Sequence, residues 1–340
     1  MKKNHLIELW RFLASMIIAS YHIDYIFHTG WIFVEFFFMI SGYFAFKHYI
    51  SGKEVAEPEH FPVIYAVKKL LKILPYSSIA IILMFLKQTI EHNLSFREGA
   101  RFAIYTLENL FLINGTGVIP KEFPISDNFT ATYMPIGSLW YLTVLIVAIP
   151  VMLYLVRLTY KKLGLGLVGL LPFMIYGYII MHDGSINGWH EGMSFYFTLC
   201  MRGLAGLLLG GLIYYISDKI RAGKKEGAGA SGLFILEVLS FAGVALIATL
   251  TVSSYEVLFI ILLIISLSIT FSGVTVSAKM HGAAFTFLGK LSLPIYCIHP
   301  VVRALVGDEN IGMFFLLTIA AAIVMVVVVE GIGKIFKHNG

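Results

Sequence analysis

The chain has 340 residues, of which 58% are hydrophobic and 13% are charged, and its formal net charge is +5. Soluble domains carry about 25% charged residues, so this composition excludes a soluble enzyme and indicates a polytopic helical membrane protein. The basic residues lie mostly between apolar runs, where they report membrane topology, and we expect no nucleic-acid partner. Cys200 and Cys297 lie within apolar runs, so we expect buried thiols rather than a disulfide or a metal site.

The first apolar run, residues 6–27, is long enough to span a bilayer, which takes roughly 20 apolar residues. It nevertheless contains Glu8, Arg11, His22 and Asp24. Ionisable groups are costly in hydrocarbon, so each of them needs a partner, a wet cavity or a function. The basic start of the chain imitates a signal peptide, but the charges inside the run lead us to expect an uncleaved first span.

A polar stripe follows one face of this first span. Arg11 and His22 are separated by about three turns and 20° at 100° per residue, so they share a face and lie roughly 16 Å apart along the axis. Glu8 and Ser15 continue the stripe at helical spacing. We expect the stripe to line the functional cavity. The alternatives are that Arg11 only extends to the cytoplasmic surface and that His22 only bridges two helices.

The second span, residues 31–50, joins the first by a short turn. Glu35 lies about as far after this turn as His22 lies before it, so both side chains should reach a similar depth. A carboxylate beside an imidazole fixes its tautomer and raises its basicity, whereas the alternative is a structural glutamate near the interface. The small residues Ser41 and Gly42 predict close helix packing.

Basic residues precede the third span, residues 74–90. Lys68, Lys69 and Lys72 mark its cytoplasmic end, and Lys69 and Lys72 share a helix face. Such side chains suit a phosphate-bearing cofactor, although ordinary topology signalling explains them as well.

The next apolar run, residues 100–113, is short for a span and contains charged residues, which favours a re-entrant or interfacial helix. Residues 114–135 are rich in Gly, Pro, Asn and Thr and predict a loop. The distribution of basic residues then predicts further spans at residues 137–156, 163–181, 195–216, 233–252, 256–276, 287–305 and 311–332.

The expected fold class is therefore all-α, a polytopic transmembrane helix bundle with about ten spanning helices, one short re-entrant or interfacial helix and both termini in the cytoplasm. We expect a single integral-membrane domain over residues 1–340, because no long polar stretch exists to build a second one. The polar outer loop at residues 182–194 could face a sugar or only solvent. The sequence has no ATP-binding loop motif and no metal-ligand spacing, so we expect no metal.

Five stretches follow one another in an order that is more specific than any of them alone. They are Arg11 followed by ten residues and His22, VEFFFMISGYF at 34–44, KKLLKILP at 68–75, SLWYL at 138–142 and LGKLSLPIYCIHP at 288–300. Together they resemble the motifs of the membrane acyltransferase-3 family. Lys69 and Lys72 stand where that family has arginine, and lysine binds phosphate as a point charge without the bidentate fork. Ser138 stands where relatives often have histidine.

The resemblance implies an integral membrane O-acyltransferase, specifically an O-acetyltransferase. It would take acetyl-CoA from the cytoplasm and modify a hydroxyl of an extracytoplasmic glycan or lipid-linked sugar. It implies a multi-pass protein of the bacterial cytoplasmic membrane, surrounded by lipid, that modifies polysaccharide of the cell envelope. The acceptor, the acyl chain length and the oligomeric state stay open.

The resemblance and the polar stripe together give candidate roles in catalysis and donor binding. His22 would act as the base or as a transient acyl carrier, with Glu35 orienting it and Arg11 contributing from the same face. Arg11, Lys69 and Lys72 would bind the anionic CoA.

Three further residues would contact the acceptor: Asp24, Trp140 and His299. Asp24 is also an alternative residue to orient His22, although its position two residues later points it off that face. His299 precedes a proline and could equally be a structural kink residue.

Two other function classes compete with the enzyme. A transporter or flippase would use the polar stripe as a permeation path and His22 as a proton relay. Inverted repeats with paired broken helices would favour it, and none is evident in the sequence. A non-catalytic membrane partner or sensor is the third possibility, and normal surface acylation in a deletion strain would favour it.

Overall fold

The chain folds almost entirely into α-helices in the computed structural model, which describes residues 4–51, 61–112, 122–132, 136–187, 193–223, 230–250 and 255–338. Within these ranges there are eleven α-helices and one two-stranded hairpin. The helices are α1 His5–His22, α2 Phe33–Ser51, α3 Phe61–Glu91, α4 Phe96–Leu110, α5 Trp140–Leu163, α6 Leu171–Asp183, α7 Met193–Gly223, α8 Ala230–Ala248, α9 Glu256–Ser272, α10 Ala283–Val306 and α11 Ile311–His338. The predicted all-α class is confirmed.

Eight helical segments of the described part are long and apolar enough to cross a membrane, and they contain α2, α3, α5, α6, α7, α8, α10 and α11. Helix α1 has 18 residues but includes Glu8 and Arg11. Helix α9 is apolar and has 17 residues. These two helices correspond to the remaining predicted spans, and α4, with 15 residues, is the short additional helix. The polytopic helical bundle that the sequence predicts is therefore confirmed.

Helix α3 begins well before the predicted start of the third span. It starts at Phe61 rather than near residue 74, so the lysine cluster lies inside the helix. The added stretch contains no glycine, and Pro62 falls in the first turn, where a missing backbone N–H costs nothing. The helix therefore continues through residues whose charge alone suggested a membrane boundary.

A β-hairpin occupies part of the stretch predicted as a loop. Strand β1, Glu122–Ser126, pairs antiparallel with β2, Phe129–Thr132, across a two-residue turn. Ile125 and Phe129 pack into one cluster with side chains of α4. Strands of four and five residues carry too little alternation to be distinguished from a loop by pattern alone, which is why the sequence does not predict them.

The contacts divide the chain into two compact units. The first contains Met1–Ala66 and Val147–Gly289, and the second contains Val67–Ile146 and Lys290–Gly340. The unit boundaries fall inside α3, α5 and α10. The single domain over residues 1–340 stays a prediction.

Helices α2 and α7 pack backbone to backbone in the first unit. A Cβ at Gly42 would overlap the carbonyl of Leu207, and one at Gly210 would overlap the backbone of Gly42 and Tyr43. Small residues let membrane helices approach this closely. Helices in lipid gain no hydrophobic driving force from association, so van der Waals contact between them stabilises the pair instead. The predicted packing role of Ser41 and Gly42 is confirmed for Gly42. This contact fixes the position of the polar residues at the outer ends of both helices.

Candidate functional site

Helix α1, which carries the predicted polar stripe, is anchored at its first turn. The Asn4 side chain caps the helix, accepting from the backbone N–H of Leu6 at 3.0 Å and of Ile7 at 3.4 Å. Its amide also donates to the carbonyl of Thr270 at 2.9 Å. An asparagine cap satisfies N–H groups that the helix leaves without partners. The inner end of α1 is thereby attached to the end of α9.

The inner half of the stripe faces protein. Arg11 donates to the Glu8 carboxylate at 2.9 Å. A Cβ at Gly289 of α10 would overlap that carboxylate, so a glycine is what leaves room for it. One turn earlier, the His5 ring meets His281 edge-on, with ring centroids 5.6 Å apart. The face of α1 that carries Glu8 thus packs on the beginning of α10, and Gly289 belongs to the LGKLS motif.

His22 is the last residue of α1, and its side chain is half-buried. Its ring packs edge-on against Tyr21, with centroids 5.1 Å apart. Ser15, between His22 and Arg11, is buried and donates to the carbonyl of Phe12 at 2.7 Å, which is a local structural bond. Helix α1 therefore carries Arg11 in its first half and His22 at its last residue, and the functional face that they would share stays a prediction.

Asp24 lies just beyond the end of α1. Its backbone adopts a left-handed conformation, φ 50°, and its side chain is 88% exposed. The carboxylate is 3.0 Å from Nδ1 of His28. Its proposed contacts with an acceptor or with His22 stay predictions.

Glu35 is fully buried at the outer end of α2, and both of its carboxylate oxygens are engaged. Oε1 accepts from Nε of Arg202, and Oε2 accepts from the hydroxyl of Tyr176. Gly206, one turn after Arg202, leaves space for the carboxylate, because a Cβ there would come within 3.0 Å of Oε2. These partners on α6 and α7 were not predicted, and the pairing of Glu35 with His22 stays a prediction.

Arg202 is the centre of this outer cluster. It is fully buried, and its guanidinium lies over the Trp31 ring at 5.0 Å from the centroid. Nη1 is 3.4 Å from both the backbone carbonyl and the side-chain oxygen of Asn187. The Tyr21 hydroxyl, on the residue before His22, lies within electrostatic range of Arg202. The cation therefore joins α7 to the start of α2 and to the segment that follows α6.

Glu256 binds the segment that follows α6, and this segment places Asn187 beside Arg202. At the start of α9 its carboxylate accepts from the Ser185 hydroxyl at 2.6 Å and from the Ile186 N–H at 2.7 Å. Gly184, with φ 74°, ends α6 and turns the chain toward this carboxylate. Residues 184–187 of the polar loop predicted at 182–194 therefore have structural partners, whereas residues 188–192 lie outside the described part.

A second buried carboxylate lies in the inner half of the first unit. Glu237 of α8 is fully buried and accepts from the hydroxyls of Thr270 at 2.5 Å, Thr275 at 2.8 Å and Ser277 at 3.0 Å. Within the described residues its bonds come from hydroxyls, in contrast to the arginine that meets Glu35. Helices α8 and α9 and the turn at Val276–Lys279 are joined by this cluster.

The remaining predicted site residues belong to the second unit. Lys69 and Lys72 lie one turn apart in α3, with Lys72 exposed and Lys69 half-buried. Trp140 begins α5 and is buried, in line with the predicted start of that span near residue 137.

His299 is fully buried in α10. Its Nδ1 lies 3.1 Å from the Ile295 carbonyl, and a carbonyl only accepts, so the proton is assigned to Nδ1 and the lone pair to Nε2. Tyr296 packs beside it and donates to the carbonyl of Ser138 in the turn that precedes α5. Motif residues of α5 and α10 are thereby brought together. The acceptor contacts of Trp140 and His299 stay predictions.

Sequence reasoning missed Arg202, Tyr176 and Glu256. A signal existed for the two charged residues, because an arginine or glutamate at the edge of a membrane-length apolar run is costly without a partner. Nothing in the sequence marks the tyrosine, since its role depends on where α6 packs.

Comparison with known proteins identifies the family. The acyltransferase-3 family model, described as an acyltransferase domain, matches residues 4–330, nearly the entire chain. Searches of curated proteins and of solved structures returned no match. The five motifs that resemble this family lie within the matched range, and the helical membrane bundle agrees with it. The chain therefore belongs to the acyltransferase-3 family and is an integral membrane acyltransferase.

Proposed function

We propose that the protein transfers an acetyl group from cytoplasmic acetyl-CoA to a hydroxyl of an extracytoplasmic glycan or lipid-linked sugar. The observation that carries this proposal is the layout of α1. Arg11 lies in its inner half beside Glu8, and His22 is the last residue at its outer end. Donor and acceptor would then approach the same helix from opposite sides of the membrane.

Donor binding rests on the cations near the cytoplasmic side. CoA carries several phosphate charges, and basic side chains bind them through charge-assisted hydrogen bonds. Arg11 is held by Glu8, which orients its guanidinium while leaving 33% of the side chain exposed. Lys69 and Lys72, one turn apart on α3, would add point charges that attract the phosphates of CoA.

The chemical step needs a base, because a sugar hydroxyl is a weak nucleophile at neutral pH. In direct transfer, His22 removes the hydroxyl proton while the oxygen attacks the thioester carbonyl, the C–S bond breaks, and the proton passes to the leaving CoA thiolate. In the alternative route, the His22 imidazole attacks the thioester carbonyl, the C–S bond breaks, and CoA leaves as the thiol with the imidazole proton. The acceptor hydroxyl then attacks the acyl-imidazole, the C–N bond breaks, and the hydroxyl proton returns to His22. A positioned base typically contributes about 10²- to 10⁴-fold.

Glu35 would act on this step as a positioning residue. Its carboxylate joins α2 to Tyr176 and Arg202, and Arg202 in turn lies within electrostatic range of Tyr21, the neighbour of His22. Asp24, Trp140 and His299 are the residues that we propose for the acceptor. We further propose that the protein acts in the bacterial cytoplasmic membrane on polysaccharide of the cell envelope.

The function is tested by the acylation of surface glycans. A deletion strain is complemented with the wild-type chain, His22→Ala or His182→Ala, and the glycans are analysed by mass spectrometry. The matched control His182 is an exposed histidine at the end of α6. We expect wild type and His182→Ala to restore an acetylated glycan and His22→Ala to leave it unmodified at equal protein level. An identical glycan profile with and without the gene would refute the proposal.

A further inference from the structure

Helix α4 presents an apolar face that nothing in the described residues covers. Phe96 is 95% exposed, Ile104 68%, Phe111 64% and Leu107 54%. At 100° per residue, the three of them that lie within the helix fall within an arc of about 80°, and Phe111 directly follows its last residue. An exposed apolar arc of this kind on a short helix is typical of binding to a partner or to a lipid surface.

The opposite face of α4 already has its partner. Phe102 and Tyr105 are buried in a cluster with Ile125, Phe129 and Ala131 of the hairpin. Phe85, near the end of α3, packs on Phe102 with ring centroids 4.9 Å apart. The hairpin and α3 thus fix how α4 is rotated about its own axis, and the exposed arc is directed away from them.

Two arginines border the exposed arc on one side. Arg97 and Arg101 are both exposed, and the same helical geometry puts them roughly 20° to 60° beyond Ile104. The Arg101 guanidinium lies 5.3 Å from the centre of the Phe123 ring, so its charged end is held against the hairpin. An apolar arc bordered by basic residues is the composition of helices that lie in the headgroup region of a bilayer.

The chain connection keeps α4 close to the membrane surface. Helix α3 crosses the membrane and ends at Glu91, and α4 begins at Phe96. Four connecting residues span at most roughly 17 Å even when fully extended. The lipid-facing side of α3 is exposed up to Ile90, which is 74% exposed, so the apolar surface of α4 continues an existing lipid contact.

We propose that α4 is an interfacial anchor that lies along the extracytoplasmic surface of the bilayer, with the arc of Phe96, Ile104, Leu107 and Phe111 in the headgroup region and Arg97 bound to lipid phosphates. The occupant of this face is the phospholipid surface, not a second protein. The extracytoplasmic side follows from the lysine cluster at the opposite end of α3. The hairpin then stands on the water side of α4. This proposal is independent of the acyl-transfer chemistry.

Spin labels at single cysteines test the position of α4. The background is Cys200→Ser, since Cys297 is fully buried. Labels are placed by Ile104→Cys or Leu107→Cys on the arc and, as a matched control, by Asp127→Cys in the exposed turn of the hairpin. The full-length protein is reconstituted in phospholipid nanodiscs, and relaxation of each label by oxygen, which enters the bilayer, is compared with relaxation by a water-soluble nickel chelate.

We expect the labels on the arc to prefer oxygen and the label at residue 127 to prefer nickel. Equal nickel access at 104 and 127 would overturn the proposal, because α4 would then lie in water. Exclusion of both reagents at 104 and 107 would also overturn it, since protein rather than lipid would cover the face.

The phosphate contact is tested separately with the label at residue 104. In nanodiscs rich in phosphatidylglycerol, Arg97→Gln should raise nickel access, because each basic residue near an anionic surface favours binding by about fivefold. Arg101→Lys retains the charge and should have no such effect. If Arg97→Gln and Arg97→Lys give the same access in nanodiscs with and without anionic lipid, Arg97 does not bind phosphate and that part of the proposal fails.

Discussion

Glu35 in the outer half of the first unit and Glu237 in its inner half are both fully buried, but their partners differ. Glu35 meets a buried arginine and a tyrosine, whereas the bonds to Glu237 come from three hydroxyls. A buried ion pair is expensive to assemble and to break, since each charge depends on the other. The three hydroxyls around Glu237 tolerate the loss of its charge, because they can still form hydrogen bonds with a neutral side chain. The outer half is therefore the part that should depend most on its charges.

The largest expected effect is the loss of the outer cation. Arg202→Leu leaves Glu35 buried without its positive partner, and breaking such a pair costs about 3–5 kcal/mol. We expect a drop of that size in the free energy of unfolding, measured by denaturation in mixed micelles, and loss of acyl transfer.

A double variant separates structure from chemistry. Arg202→Leu with Glu35→Leu removes both charges, so it should recover much of the stability lost in the single variant. If the pair positions the site, activity stays low in the double variant. Recovery of full activity would show that the pair only holds the helices together.

A smaller loss is expected in the inner half from Gly289→Ala. A methyl group there would overlap the Glu8 carboxylate, and overpacking of this kind costs roughly 1–3 kcal/mol. The displaced carboxylate would also release Arg11, so KM for acetyl-CoA should rise more than kcat falls. Gly177→Ala is the matched control, since nothing lies within 4 Å of the added carbon. Equal kinetics for the two variants would contradict the proposed packing of α1 on α10.

Tyr176→Phe should weaken the outer cluster by about 1–2 kcal/mol, because it removes one hydrogen bond to a buried carboxylate while the arginine remains. Thermal unfolding of the purified protein measures this loss. A variant as unstable as Arg202→Leu would mean that the tyrosine, rather than the cation, satisfies Glu35.

The smallest effect is expected for Glu237→Gln, roughly 1 kcal/mol or less, because the amide can still bond the surrounding hydroxyls. The same change at Glu35 leaves Arg202 uncompensated and should cost several times more. Equal losses of stability at the two positions would remove the distinction between the halves.

The local features of this fold could be predicted from the sequence. The apolar runs correspond to the helices, the stripe on α1 follows from helical spacing, and the short run after α3 is a helix of its own. The lysine cluster predicts a boundary near residue 74, whereas α3 begins at Phe61 and continues through Pro75, because charged side chains do not interrupt a helical backbone. The hairpin was missed because its strands are too short to give a period.

The sequence could not predict which residues the polar side chains contact. The stripe indicates that Glu8 needs a partner, but not that it packs on Gly289, which is remote in the chain. Likewise, depth along the helix could not indicate that Glu35 bonds to residues of α6 and α7. Helical spacing gives the face and height of a side chain, and only packing decides which neighbour it meets.

The most direct test of the account is acetyl transfer by the purified protein. Proteoliposomes receive labelled acetyl-CoA on the side of the lysine cluster and a glycan acceptor on the other side, and labelled glycan is counted for wild type, His22→Ala and His182→Ala. We predict transfer by wild type and His182→Ala at similar rates, and a rate lower by about 10²-fold or more for His22→Ala. Transfer by His22→Ala at the wild-type rate would contradict the account.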